Sequence, residues 1–262
     1  WGSIAAIVLS LLLLIGVIVW QYDNFVSWIA SKIPVSTEQQ IGNAVLEKIK
    51  AEGDLLESGK AVDTMTDIGN KLTQGSRYKY QWYVLKNDTV NAFAVPSGII
   101  VVHSALIEKA ENADELAAVL AHEVLHVEQR HSLKHMINSV GWAAVLTIVL
   151  GDASAITAVI AHQLGTSYFS RDLESEADKL GYATLVKAKI KPDGMASFLQ
   201  KLADLSGDTE QGLGWISSHP ETQQRVAAIK QLLKEQPCNV CQPLAIDWQG
   251  VQKTLPKVEK AK

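Results

Sequence analysis

His122-Glu123-Val124-Leu125-His126 sits in a run whose pattern predicts a helix from about Asn112 to Met136. Asn112 followed by Glu115 offers an N-cap and capping-box pair, and Leu116, Val119, Leu120, Val124 and Val127 recur at helical spacing. At about 100° per residue the two histidines fall one turn apart on one face, so both imidazoles can meet a single ion while Glu123 points to its flank. The spacing predicts a zinc hydrolase site. Chance placement of two histidines on a solvated helix face is the competing reading, and the downstream sequence weighs against it.

Ser170-Arg171-Asp172-Leu173-Glu174-Ser175-Glu176-Ala177-Asp178 reads as the start of a second helix, with Leu173, Ala177 and Leu180 inward. Glu174 and Asp178, four apart, then share another face. A catalytic zinc takes three protein ligands and keeps one position for water, and two histidines with a glutamate form one of the known sets. Glu174 can be that third ligand, and Asp178 can hold a ligand histidine by its other ring nitrogen. A solvated acidic helix face is the alternative for both acids.

With these segments in view, the chain resembles the gluzincin-type metallopeptidases related to the CAAX prenyl protease and the bacterial heat-shock protease HtpX. The resemblance runs from about Ser36 to Leu233. It includes Asn91-Ala92-Phe93-Ala94 with Pro96-Ser97-Gly98 and a strand, Glu128-Gln129-Arg130-His131, and His219-Pro220-Glu221-Thr222 with Arg225. It implies an α+β, mainly helical, zincin-like domain with a small sheet beside the active-site helix. It also implies that Glu174, not Glu176, binds zinc, and that His219 approaches the metal to stabilise an oxyanion or cap the open coordination position. Arg225 is expected to brace His219 or to pair with Asp178. Gly98, Ile99, Ile100, Val101 and Val102 are assigned by resemblance to an open strand edge on which an extended polypeptide pairs, an ordinary core strand being the alternative. Ser97 stands where the family often has glycine. One hydrophobic span, against many in the prenyl protease, separates this chain from prenylated substrates.

The 262 residues, 47 % hydrophobic and 20 % charged, can bury one sizeable core, and a net charge of −4 gives no sign of a nucleic-acid partner. Ile4 to Trp20 is uncharged and apolar. With Trp1-Gly2-Ser3 it is long enough, at about 1.5 Å per residue, to cross a hydrocarbon core of roughly 30 Å, with Trp1 and Trp20 at the interfaces. No basic region before it and no small-residue cleavage site after it favours a signal peptide. The expected organisation is a transmembrane helix and membrane-proximal segment over 1–33, a metallopeptidase domain over 34–236, and a C-terminal tail with a Cys pair over 237–262. Phe25, Trp28 and Ile29 lie along the membrane surface or lead into the domain. The opening Trp, in place of Met, suggests a piece of a longer protein.

Further helices are predicted from Ser36, capped with Gln39, to about Ala51, over Ala61–Leu72, over Asp193–Leu205, and from Pro220 to about Lys234. The last has Ala227, Ala228, Ile229 and Leu232 inward. Tyr80–Leu85, Val90–Val95 and Ile99–His103 read as strands, and Ser206–Ser218 as a Gly-rich loop. Val140–Leu150 and Ala153–Ala161, broken by Gly151-Asp152, are each too short to span a bilayer and read as a helical hairpin serving as lid, membrane-dipping element or core. His103, His131, His135 and His162 are expected to cap or pack. Cys238 and Cys241 read as a local disulfide, which favours an oxidising compartment; two reduced thiols in a cytosolic tail is the alternative.

Together these point to a single-pass zinc metalloendopeptidase of the bacterial inner membrane that cleaves misfolded or envelope-associated proteins. Its peptidase domain is expected in the periplasm, a cytoplasmic placement being the alternative. His122, His126 and Glu174 would hold one zinc per chain, and Glu123 would take the proton of the attacking water and pass it to the leaving amine. A zinc-stabilised membrane-bound chaperone or binding module is the rival. It has no use for Glu123 beside the water position.

Overall fold

Four strands form a mixed sheet in the order β1-β2-β4-β3: β1 (Leu55–Leu56), β2 (Gln81–Leu85), β3 (Ala92–Val95) and β4 (Ile99–His103). This is a computed structural model, and it describes residues 21–22, 24–135, 137–138, 169–205, 213–219 and 222–257. The apolar run Ile4–Trp20, the hairpin Val140–Ala161 and His162 lie outside them. No helix among the described residues is long and apolar enough to cross a membrane.

β3 and β4 are antiparallel, joined through Pro96-Ser97-Gly98, where Ser97 (φ 73°) and Gly98 (φ 95°) both turn left-handed. The Ser97 backbone therefore sits where glycine is cheapest, which accounts for the family's preference at that position. β2 joins β4 in parallel, pairing Gln81 with Ile99 through Leu85 with His103, and β1 adds antiparallel to β2. β4 is thus interior and buried throughout. The open edge expected of Gly98, Ile99, Ile100, Val101 and Val102 is not there, because both sides of β4 are already paired; among the described strands the outer positions belong to β1 and β3.

Alternation along the strands feeds two cores. Trp82, Val84, Ile100 and Val102 face one core, while Tyr83, Ile99 and Val101 face the other. Fully burying a side chain such as Ile100 contributes roughly 1.5–3 kcal/mol. The second core is closed by α1 (Val35–Glu52), which starts at Pro34 and not at a Ser36 cap, and by the helical residues 24–32. The first core is closed by α2 (Lys60–Leu72) and by the helix of the His-Glu-x-x-His stretch, α4 (Ala113–Glu128), with the short α3 (Ser104–Lys109) leading in. Gly69 lets α2 seat on β2, since a Cβ there would stand 2.0 Å from Trp82 Cζ2.

α5 (Arg171–Lys187) and α6 (Asp193–Leu205) pack on α4, followed by α7 (Leu213–Ser218) and α8 (Thr222–Glu235). α7 occupies the end of the stretch read as loop. α8 turns Arg225, Val226 and Ile229 inward and leaves Ala227 and Ala228 exposed, correcting the expected face. The tail is also corrected. Gln242 bridges to Ile190, and α9 (Trp248–Gln252) anchors Trp248, Val251 and Leu255 in the first core, with Trp248 Nε1 donating to Ala110 O at 2.7 Å.

Candidate active site

α4 is buried nearly all round, from Glu115 to Val127. Its N-cap is as expected, Asn112 Oδ1 accepting from Glu115 N at 3.0 Å. The Glu115 carboxylate reaches Glu111 N, Ser197 and Lys201, tying the helix start to α6. The helix stops at Glu128, short of Met136, because Arg130 turns left-handed (φ 56°) and a fresh helical stretch begins at His131.

One turn apart on α4, His122 and His126 bring their Nε2 atoms within 2.9 Å of each other. α5 crosses closely, with Gly181 against the His122 backbone, where even a Cβ would come 3.4 Å from His122 N. That crossing sets Glu174 Oε1 3.3 Å from His126 Nε2 and Oε2 3.4 Å from His122 Nε2. From the end of α7, His219 places Nδ1 2.9 Å from Glu174 Oε1 and 3.3 Å from His122 Nε2. Ligand atoms of His122, His126, Glu174 and His219 all lie within 4.8 Å of one another, and all four residues are buried.

Two further residues organise this group. Asp178 Oδ1 accepts from His122 Nδ1 at 2.9 Å, which leaves His122 Nε2 with a lone pair facing the cluster. Arg225 clasps Asp178 through Nε and Nη2 at 2.6 and 2.8 Å and reaches Glu174 Oε2 through Nη1 at 2.7 Å. Both expected Arg225 contacts are present, since Nη1 also donates to His219 O at 3.4 Å.

The donor set fits zinc. Tetrahedral nitrogen and oxygen ligands about 2.1 Å from one ion stand roughly 3.4 Å apart, close to the separations above. Converging lone pairs from two imidazoles and a carboxylate repel unless a cation lies between them. With Glu123, Glu174 and Asp178 ionised and the imidazoles neutral, as metal ligation requires, Arg225 leaves two negative charges that a divalent ion would cancel. The same crowding shifts the proton affinities of these groups. Burial pulls His122 down, yet Glu174 and Asp178 outweigh it and hold the imidazole up at about 9. His126 is driven well down by burial, and Glu174 is held well below the carboxylate range by His219, His122 and Arg225 against its own burial.

Glu123 is fully buried, and neither carboxylate oxygen has a hydrogen-bond partner among the described residues, His219 Nε2 standing 3.5 Å away. Burial raises its pKa despite His219 and His122 nearby. An orphaned carboxylate in a core is costly unless something polar is meant to meet it. It lies next to the converged donors, where a water would be received.

Three aromatic or imidazole contacts escaped the sequence reading. Phe169 stacks on His126 (4.1 Å, 18°), Trp215 stacks on His219 (4.1 Å, 25°), and His131 Nδ1 lies 2.9 Å from His126 Nδ1. The available signal was an aromatic before the Ser170 cap and another four residues before His219. His103, as expected, is structural, its Nδ1 on Thr89 O. His135 packs edge-on to Phe169. Cys238 and Cys241 are joined in a disulfide.

Residues 61–233 match the model of peptidase family M48. This chain belongs to peptidase family M48. The M48 chain is 31 % identical over 206 residues to the metalloprotease YcaL of Escherichia coli K12, covering 74 % of each. It is 30 % identical over 211 residues to the beta-barrel assembly-enhancing protease of Yersinia pestis, covering 74 % of this chain and 43 % of that one. It is 29 % identical over 163 residues to the mitochondrial metalloendopeptidase OMA1 of Schizosaccharomyces pombe, covering 61 % and 48 %. The chain thus spans less than half the length of the assembly-enhancing proteases it matches. The match covers its metallopeptidase domain, which carries a buried group able to hold a metal ion.

Proposed function

We propose that this M48 domain cleaves polypeptides of the cell envelope, β-barrel proteins among them, with His122, His126 and Glu174 holding zinc and Glu123 as the general base. The observation that carries the reading is the fully buried Glu123 carboxylate, without a hydrogen-bond partner among the described residues and beside the converged donors. When bound, zinc supplies a Lewis acid that acidifies water at neutral pH and polarises the scissile carbonyl. Glu123 takes the proton of the attacking water on a carboxylate oxygen and returns it to the departing amine, a role its raised pKa suits. Asp178 fixes the His122 tautomer, and Arg225 offsets the charge of Asp178 and Glu174. Of the two roles expected of His219, its Nδ1 among the metal donors favours capping the fourth position until substrate arrives.

The substrate edge passes from β4 to β3. β3 packs against α4 and is the outer strand on that side, so an extended peptide paired with it would run beside the zinc helix, displacing the Asn91 Oδ1 and Ser132 Oγ contacts that hold Ala92 N and Ala94 O. Envelope substrates are supported by the names of the relatives, and an oxidising, periplasmic placement by the disulfide. Ile4–Trp20 is proposed as the membrane tether and 34–236 as the peptidase proper, with the packed C-terminal residues added to it. The test incubates the detergent-solubilised full chain with an unfolded β-barrel protein, with and without chelator and beside Glu123→Gln. Cleavage that survives either treatment would overturn the mechanism.

A further inference from the structure

The two helix-borne histidines are held differently. His122 has its Nδ1 on a carboxylate, Asp178, the usual partner of a zinc-binding imidazole. His126 has its Nδ1 on another imidazole, His131 Nδ1 at 2.9 Å, and His131 in turn has its Nε2 on Glu176 Oε2 at 3.1 Å. His131 is fully buried, whereas the Glu176 side chain is 42 % exposed.

The proton inventory of this chain has one solution compatible with metal binding. His126 directs Nε2 at the cluster, so that atom must be a lone pair and the ring proton must sit on Nδ1. His126 then donates to His131 Nδ1, which must be an acceptor. A neutral His131 with Nδ1 bare carries its proton on Nε2, and that proton is donated to Glu176. Each member fixes the tautomer of the next, from a half-exposed carboxylate inward to the ligand. The left-handed turn at Arg130 makes the contact possible. A helix continuing through residue 131 would carry that side chain about 140° round from His126, five positions on.

We propose that His131 and Glu176 are positioning residues, a relay that holds His126 in its Nε2-coordinating tautomer and orientation. The proposal rests on His126 being a zinc ligand, and it gives Glu176, excluded from the metal by its helical phase, a definite task. Phe169 stacked on His126 restrains the ring plane, so the relay's own contribution is the choice of nitrogen and the rotation within that plane.

The test measures zinc affinity by chelator competition, and the visible spectrum after cobalt substitution, on the solubilised full chain; the variants are His131→Phe, His131→Asn, Glu176→Ala, the His131→Phe/Glu176→Ala double and His126→Ala. His131→Phe keeps the packing but removes the acceptor, and is expected to weaken zinc about 10–100-fold and alter the cobalt spectrum. His131→Asn returns an acceptor oxygen near the Nδ1 position and is expected to recover most of that loss. Glu176→Ala should weaken zinc by less, and the double variant should be no worse than His131→Phe alone, because Glu176 acts only through His131. Wild-type zinc affinity in a folded His131→Phe, or additive losses in the double variant, would overturn the relay while leaving the ligand assignment intact. Retained zinc in His126→Ala would overturn the ligand assignment itself. Should His131→Phe not fold, Glu176→Ala decides, since its side chain is half in solvent. Unchanged affinity and an unchanged cobalt spectrum there would refute the proposal.

Discussion

Replacing Arg130 by Met should loosen the N-terminal segment from the end of the zinc helix. The Arg130 side chain is 9 % exposed and meets four partners: Glu38 at 2.6 Å, Ala30 O at 2.5 Å, Ile33 O at 2.9 Å and, through Nε, Tyr78 Oη at 3.2 Å. Glu38, 1 % exposed, would keep only the Tyr78 hydroxyl. Breaking a buried ion pair by removing one partner costs about 3–5 kcal/mol, and each carbonyl left unpaired adds about 1–3 kcal/mol if water does not replace the guanidinium. Met has the length of the Arg stem and the same difficulty at φ 56°, so backbone strain cancels in the comparison. The expected loss is therefore at least ~3 kcal/mol, read as a lowered urea midpoint of the zinc-saturated chain, with earlier proteolytic nicking of residues 24–33. Adding Glu38→Leu should recover part of it, because replacing both members of a buried pair by apolar groups is often neutral. A loss below about 1 kcal/mol would show that the guanidinium is better solvated than its surroundings allow. Full additivity in the double variant would refute the pairing itself.

Gly181→Leu should destabilise the domain by about 1–3 kcal/mol through overpacking and weaken zinc as well, because the side chain would wedge α5 from the His122 backbone. Gly181→Ala, whose tightest contact would be the flexible end of Met195 at 3.2 Å with His122 N at an ordinary 3.4 Å, should change both by far less; equal effects from the two would discount the crossing. His219→Ala should retain most of the zinc and cleave a short peptide faster if the imidazole caps the fourth position, whereas a lower kcat would assign it to oxyanion stabilisation instead. Cys238 and Cys241 should accept a thiol label in cell extracts only after reduction, and labelling without reductant would argue against an oxidising compartment.

How far the sequence could be read depended on whether the chemistry lay within one element or between several. His122, Glu123 and His126, and separately Glu174 and Asp178, are placed by helical phase alone, so their spacing carried the metal geometry. The strand order did not follow from the strands. Three were located within a residue or two and β1 was missed, and β2 enters the sheet in parallel beside β4, a non-local pairing that no local pattern records and that makes β4 interior. His131 was expected to cap or pack, and a helix running unbroken to Met136 would carry it away from His126. The break at Arg130 is stabilised by carbonyls about a hundred residues earlier in the chain.

The error over α8 has the same root as the success over α4. Apolar periodicity assumes that the inward face is the apolar one. At this site the inward face carries Arg225, and on α4 and α5 it carries His122, Glu123, Glu174 and Asp178, so polarity no longer marks burial. For α4 and α5 the reading looked for ligand spacing and found it. For α8 the apolar pattern turned Ala227 and Ala228 inward with Ile229 and Leu232; Ile229 is buried and Leu232 packs on the core, but the alanines are exposed and Arg225 is buried instead. A chain that buries this many charges must supply each with a partner, and the partners follow from one another: Arg225 for Asp178 and Glu174, Asp178 for His122, His131 and then Glu176 for His126. Glu123 is the member whose carboxylate accepts no hydrogen bond from a described residue, which suits it to the proposed task of taking a proton from water.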